Sequence, residues 1–146
     1  MIEVRVQAGP FDPGAELARL ERLAPGAIPS FTGLVRGDDG LVAMELEHYP
    51  AMTRAALERV VAEAMARWPL AGTVVVHRYG HLVPGDRIVF VGTASSHRAA
   101  VLDGCAFLIR WLKTRATFWK SELCGDGTAR WVEARAADGD AAARWE

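Results

Sequence analysis

An α+β domain with a mostly antiparallel sheet is what this chain predicts, and three observations predict it. Hydrophobic periodicity switches repeatedly between 2 and about 3.6 residues, so strands and helices interleave. Glycine-bearing turns, Gly37-Asp38-Asp39-Gly40 and Gly125-Asp126-Gly127, lie between alternating segments and read as hairpins. The 146 residues suit one domain, 1–146, long enough to bury a core. The resulting order is β, α, β-hairpin, α, β-hairpin, α, β-hairpin, which is not that of a doubly wound sheet.

Ile2, Val4 and Val6 alternate with polar residues and form a first strand. Asp12-Pro13 opens a helix, with a cap residue followed by proline at the first position. It runs to about Leu23 and stops at Pro25-Gly26. A second strand spans 27–36, where Gly33 permits close backbone approach and Gly37 starts the turn. Residues 42–49 alternate again, with Met44, Leu46 and His48 on one face and Glu45, Glu47 and Tyr49 on the other; Pro50 ends the strand. A helix over 52–68 carries the stripe Met52, Ala56, Val60, Ala64 and Trp68, flanked by Leu57, Val61 and Met65. Strands 73–79 and 87–94 are joined through residues 81–86. Ser95-Ser96 caps a helix over 97–113 with the stripe Val101, Cys105, Leu108 and Leu112. Strands 117–123 and 128–134 close the domain as a hairpin, and the polar tail 136–146 is expected to be mobile.

Composition excludes several classes. A hydrophobic share of 51% with 24% charge is that of an ordinary globular protein. The net charge of −1 gives no electrostatic footprint for nucleic acid. No apolar run is long enough to span a bilayer. The start, MIEVRVQAG, lacks the basic and apolar regions of a signal peptide, so a cytoplasmic location is expected. Cys105 and Cys124 are too far apart for a CxxC motif and are expected to be reduced. His48, His77 and His81 have no metal-ligand spacing and are read as structural, so no metal or other cofactor is expected.

The 17 cationic residues include only two lysines, Lys113 and Lys120, the other 15 being arginine. Arginine keeps its proton in proteins and lysine can release it. Two amines seven residues apart in WLKTRATFWKSE therefore suit a task that needs an amine, although lysines are also ordinary surface residues. Lys113 falls at a helix C-terminus, where a cation complements the dipole without further purpose. Lys120 falls on a strand, with Phe118 and Glu122 on its face and Trp119, Ser121 and Leu123 on the other. A place among large aromatics, near Arg36 or Arg98, would desolvate that amine and ease its deprotonation. Ser95-Ser96-His97-Arg98, where a strand meets a helix, reads either as an anion site or as an ordinary capped helix. Arg36, at a strand end beside Gly37, reads either as a ligand contact or as a solvated hairpin arginine.

Together FTGLVRG, LEHYPAM, VVVHRYGHLVPGD, SSHRAAVLDGC, WLKTRATFWKSE and WVEAR resemble, in order and over nearly the whole chain, the large catalytic subunit of molybdopterin synthase. The SHR and LKxRxxxWK segments are its most specific parts. Thr117 stands where that family often has proline, and Leu46 where it often has an aromatic residue. The resemblance implies an α/β hammerhead-like fold and a homodimer at the centre of a heterotetramer. It implies transfer of sulfur from the thiocarboxylated C-terminal glycine of a small ubiquitin-like subunit to cyclic pyranopterin monophosphate, forming the molybdopterin dithiolene. It further implies catalytic roles for Lys113 and Lys120. Substrate contacts would come from those lysines, from Leu34, Val35 and Arg36, from His97 and Arg98, and from Ser121 and Glu122.

Arg98 and Lys113 lie 15 residues apart on one expected helix. At about 1.5 Å per residue that is about 22 Å, too far for both to touch one small pterin. Either the helix breaks early or two copies of the chain share a site. Two further readings compete: a scaffold that docks a ubiquitin-like tail without chemistry, and an unrelated phosphoester-binding enzyme built on the SSHR helix end.

Overall fold

A computed structural model of the chain describes residues 1–115 and 118–132. The first strand, β1 (Ile2–Gln7), leads into helix α1 (Pro13–Glu21). The Asp12 carboxylate accepts a hydrogen bond from the Gly14 N–H at 3.0 Å, with Pro13 starting the helix, as expected for such a cap. Strand β2 (Ser30–Leu34) and a 3-10 turn, Asp38–Gly40, precede β3 (Leu41–His48). Helix α2 (Pro50–Arg67), strands β4 (Gly72–Arg78), β5 (Gly80–Leu82) and β6 (Arg87–Ala94), helix α3 (Arg98–Thr114), and strands β7 (Phe118–Cys124) and β8 (Ala129–Val132) follow.

The eight strands form two sheets, ordered β1-β4-β6-β2 and β5-β3-β7-β8. Every pairing is antiparallel except β1 with β4, so the α+β expectation holds. One of the expected hairpins does not form, and a second pairs as expected but with an extra strand between its arms. β2 and β3 flank the Gly37–Gly40 turn yet enter different sheets, β2 pairing with β6 and β3 with β5 and β7. β4 and β6 do pair, but the segment between them sends β5 into the second sheet. The β7–β8 hairpin is present. Thr117 and the tail 136–146 lie outside the described residues, as does Arg135.

The first sheet is covered on both faces. Leu57, Val60 and Val61 of α2 and Val101, Cys105 and Leu108 of α3 pack with Val75, Val89 and Val91. On the other face Phe11 and Leu20 of the α1 region pack with Val74, Val76, Phe90 and Ala94. Alternate residues of β4 and β6 thus serve opposite cores, which is why both strands are continuously apolar in sequence. A third, smaller core of Val35, Met44, Leu46 and Leu82 joins the two sheets.

Helix starts differ from expectation in instructive ways. α2 begins at Pro50, which occupies the first helical turn as well as ending the strand, and Met52 is exposed where Thr53 is buried. α3 begins at Arg98 with His97 as its cap residue. The His97 side chain makes no capping bond; instead the Ser95 hydroxyl accepts from the His97 N–H at 3.0 Å and donates to the Pro69 carbonyl at 2.7 Å. At Gly33 a Cβ atom would lie 2.7 Å from Val89 Cγ1, so β2 approaches β6 closely only because that residue is glycine. Among the described residues no helix is long and apolar enough to cross a membrane.

Candidate functional site

Topology decides which candidate residues meet. β6 runs from Arg87 to Ala94, and α3 then returns across the same sheet, packed on β6. His97 and Arg98 therefore sit at the Ala94 end, and Lys113, in the last turn of α3, at the Arg87 end. α3 is unbroken from Arg98 to Thr114, so the separation of about 22 Å stands. β2 ends at Leu34 opposite Arg87, which brings Leu34, Val35 and Arg36 to the same end as Lys113. The second sheet, with Lys120, Ser121 and Glu122 on β7, is joined there through β5 and the core that contains Val35.

That end of the molecule therefore gathers Arg36, Lys113 and Lys120, all exposed. Val35 is buried, and its N–H and carbonyl are engaged with Asp86 and Gly85 at 2.9 and 2.8 Å. Its role is to anchor the segment, leaving Leu34 and Arg36 to project. Arg36 Nε lies 3.5 Å from Asp38 Oδ2, and both side chains are well exposed. Ser121 and Glu122 are half-buried.

Lys120 pairs across the ladder with Leu46, and Phe118 and Glu122 with His48 and Met44, so Phe118, Lys120 and Glu122 share one face as expected. The expected desolvation of Lys120 is not found in the single chain, where Lys120 is exposed. Arg98 does not approach it either, because α3 carries Arg98 to the far end.

Lys120 instead has histidine neighbours. His77 is buried, and its Nδ1 lies 2.8 Å from the Arg78 carbonyl, to which it donates. Burial first, then the charges of Lys120 and His48, hold its pKa down at about 4 against the opposing effect of that hydrogen bond. His48 is half-buried and burial lowers its pKa as well. Sequence reasoning treated both as structural; the only signal available was that His48 shares the face of Met44 and Leu46. His81 is exposed and paired with Glu45 at 2.5 Å. Among the described residues no cluster of His, Cys, Asp and Glu could hold a metal ion. Cys105 and Cys124 are both free, and burial pushes the Cys105 thiol up to about 11, which makes it an inert core residue.

At one end, then, the topology places Arg36 and Lys113, with Lys120 on the adjoining second sheet. At the other, His97 and Arg98 stand at the positive end of a 17-residue helix.

The pattern of the MoaE protein family matches residues 6–115. The chain is 51% identical to the molybdopterin synthase catalytic subunit of Pseudomonas aeruginosa, over 98% of either chain. Its fold is similar to the molybdopterin biosynthesis MoaE protein of Burkholderia ambifaria, with a TM-score of 0.84 and 48% identity, covering 99% of this chain and 98% of that one. A complex of subunits 1 and 2 of the molybdopterin-converting factor from Helicobacter pylori shares the fold at a TM-score of 0.71 and 19% identity, covering 92% and 90% of the two chains.

Proposed function

The chain belongs to the MoaE protein family, and on that premise we propose that it is the catalytic subunit of a molybdopterin synthase. It receives sulfur from the thiocarboxylated C-terminal glycine of a small ubiquitin-like subunit. It passes that sulfur to cyclic pyranopterin monophosphate, forming the dithiolene. The geometric observation that carries this reading is the gathering of Lys113, Lys120 and Arg36 at one end of the fold.

A thiocarboxylate and a phosphate are both anions, and the three cations of this end suit them. Lys113 and Lys120 engage the thiocarboxylate and move protons as sulfur is transferred, a task for which an amine is fitted and a guanidinium is not. Leu34, Arg36, Ser121 and Glu122 line the approach to the lysines, with Val35 fixing Arg36 in place. His97 and Arg98, at the N-terminus of α3, bind the substrate phosphate together with Arg36.

Those last two lie about 22 Å from Lys113 along an unbroken helix, which supports a site shared by two copies of the chain. One protomer supplies His97 and Arg98, and its partner supplies the lysines and Arg36. The assembly is a homodimer flanked by two small subunits, working in the cytoplasm.

Reconstitution with a thiocarboxylated small subunit and the cyclic pterin, reading dithiolene formation, tests the activity. Lys113→Ala and Lys120→Ala should each lower turnover by about 100-fold or more; full turnover in both removes the catalytic role. Mixing Arg98→Ala with Lys113→Ala protein should regenerate one intact site per mixed dimer. No recovery, with subunit exchange confirmed, places the site within one chain.

A further inference from the structure

Four rings run side by side next to Lys120. His77 is stacked on Phe118, with centroids 4.0 Å apart and planes 20° from parallel. His48 lies 5.5 Å from Phe118, and Tyr79 lies 4.5 Å from His48. His77 belongs to β4 of the first sheet, whereas Phe118 opens β7 and His48 closes β3 in the second. Phe118 and Lys120 share a face of β7. The His77–Phe118 stack is therefore a tie between the rigid sheet and the strand that carries Lys120.

The rings are suited to that task only while uncharged. His77 donates from Nδ1 to the Arg78 carbonyl, which fixes its neutral tautomer. Its neighbours in register are Val6 on β1 and Val89 on β6, and the buried face of α2 holds no ionisable group. The Arg78 guanidinium is directed to the carbonyls of Ala8 and Arg87. Among the described residues the ionisable groups around His77 are thus Lys120, His48 and, beyond it, Tyr79. His48 Nδ1 is buried with no hydrogen-bond partner among the described residues, so a proton there would have no acceptor.

We propose that His77 and His48 are positioning residues for Lys120: as neutral rings around Phe118 they fix the start of β7 and keep the amine beside an uncharged wall. The proposal rests on the sulfur-transfer reading and deepens it. Simple packing would accept any apolar side chain of similar volume. Positioning requires a flat ring without charge.

Because the chain has two lysines, 13C-methylation yields one resonance for Lys113 and one for Lys120 beside that of the N-terminus. As pH falls, the Lys120 resonance should shift with an inflection near pH 4 that follows His77, and the Lys113 resonance should not. His77→Phe should abolish the inflection. Parallel movement of both resonances, or an inflection that survives in His77→Phe and His48→Phe, overturns the proposal. In sulfur transfer, His77→Phe should keep kcat within about threefold, whereas a folded His77→Leu should lose about tenfold in kcat with little change in KM. Equal activity of the two variants also overturns it. Wild-type protein that transfers no sulfur would count against the function, and the lysine resonances would then decide this proposal alone.

Discussion

The two sheets contain four strands each and are held in opposite ways. In the first, helices cover both faces, and Val74, Val76, Phe90 and Val91 are fully enclosed. In the second, burial is limited to Ala43 and the small core around Met44, Leu46 and Leu82, and none of the described side chains of β7 is buried. The first is a framework; the second is a thin layer that carries Lys120 on the same face as Met44 and Leu46, exposed at the margin of that small core. The difference teaches where each property resides: the enclosed core in the helix-covered sheet, the exposed Lys120 in the thinner layer.

The sharpest way to break that comparison is to cut a large side chain from the framework. Phe90→Ala should lower unfolding free energy by about 3–5 kcal/mol, read by urea denaturation. Leu123→Ala, on exposed β7, should change it by less than about 0.5 kcal/mol. Comparable losses would mean that the second sheet is as much a framework as the first.

Where the two sheets meet, stability should depend on pH. His77 has a pKa of about 4 in the folded chain against 6.5 as its ordinary value. Its contribution is fully present above pH 6.5. As pH falls below that, the unfolded chain binds a proton that the folded chain refuses, and stability declines until about pH 4. The loss is on the order of 3 kcal/mol across that window. Thermal unfolding at a series of pH values should show it, and His77→Phe should flatten the curve. An unchanged slope in that variant would separate the histidine from the seam.

What could be read from sequence divides along the same line. β4, β6 and the buried stripe of α3 were legible because both faces of the framework sheet are covered, which leaves long apolar runs. The second sheet was less so. β5 has three residues, too few for a period to register. The turn at Gly37–Gly40 looks the same whether its flanking strands pair or part, and the pairing of β2 with β6 depends on the close approach at Gly33. Pro50 is equally a strand stop and a helix start. The site followed suit: the scarcity of lysine marked Lys113 and Lys120, whereas the ring run joins residues 48, 77, 79 and 118, whose contacts exist only in the folded chain.

The smallest effects come from comparing one kind of ion pair in the two settings. Beside the framework, Glu16 is buried and bonded to the Arg5 guanidinium, with Arg19 Nε at 3.6 Å. Glu16→Gln removes the buried charge that Arg5 bonds, leaving it only the more exposed Glu3 carboxylate at 3.3 Å, and should cost about 1.5–3 kcal/mol, little changed by salt. At the site, Arg36 and Asp38 are 3.5 Å apart with both side chains in water. Asp38→Asn should change stability by less than about 0.5 kcal/mol, and high salt should erase even that. Urea unfolding of both variants at low and high salt measures the contrast. If Asp38→Asn costs as much as Glu16→Gln, Arg36 is part of the framework and is not free to turn toward an anion. If it costs nothing, the guanidinium is held loosely enough to exchange Asp38 for a substrate phosphate.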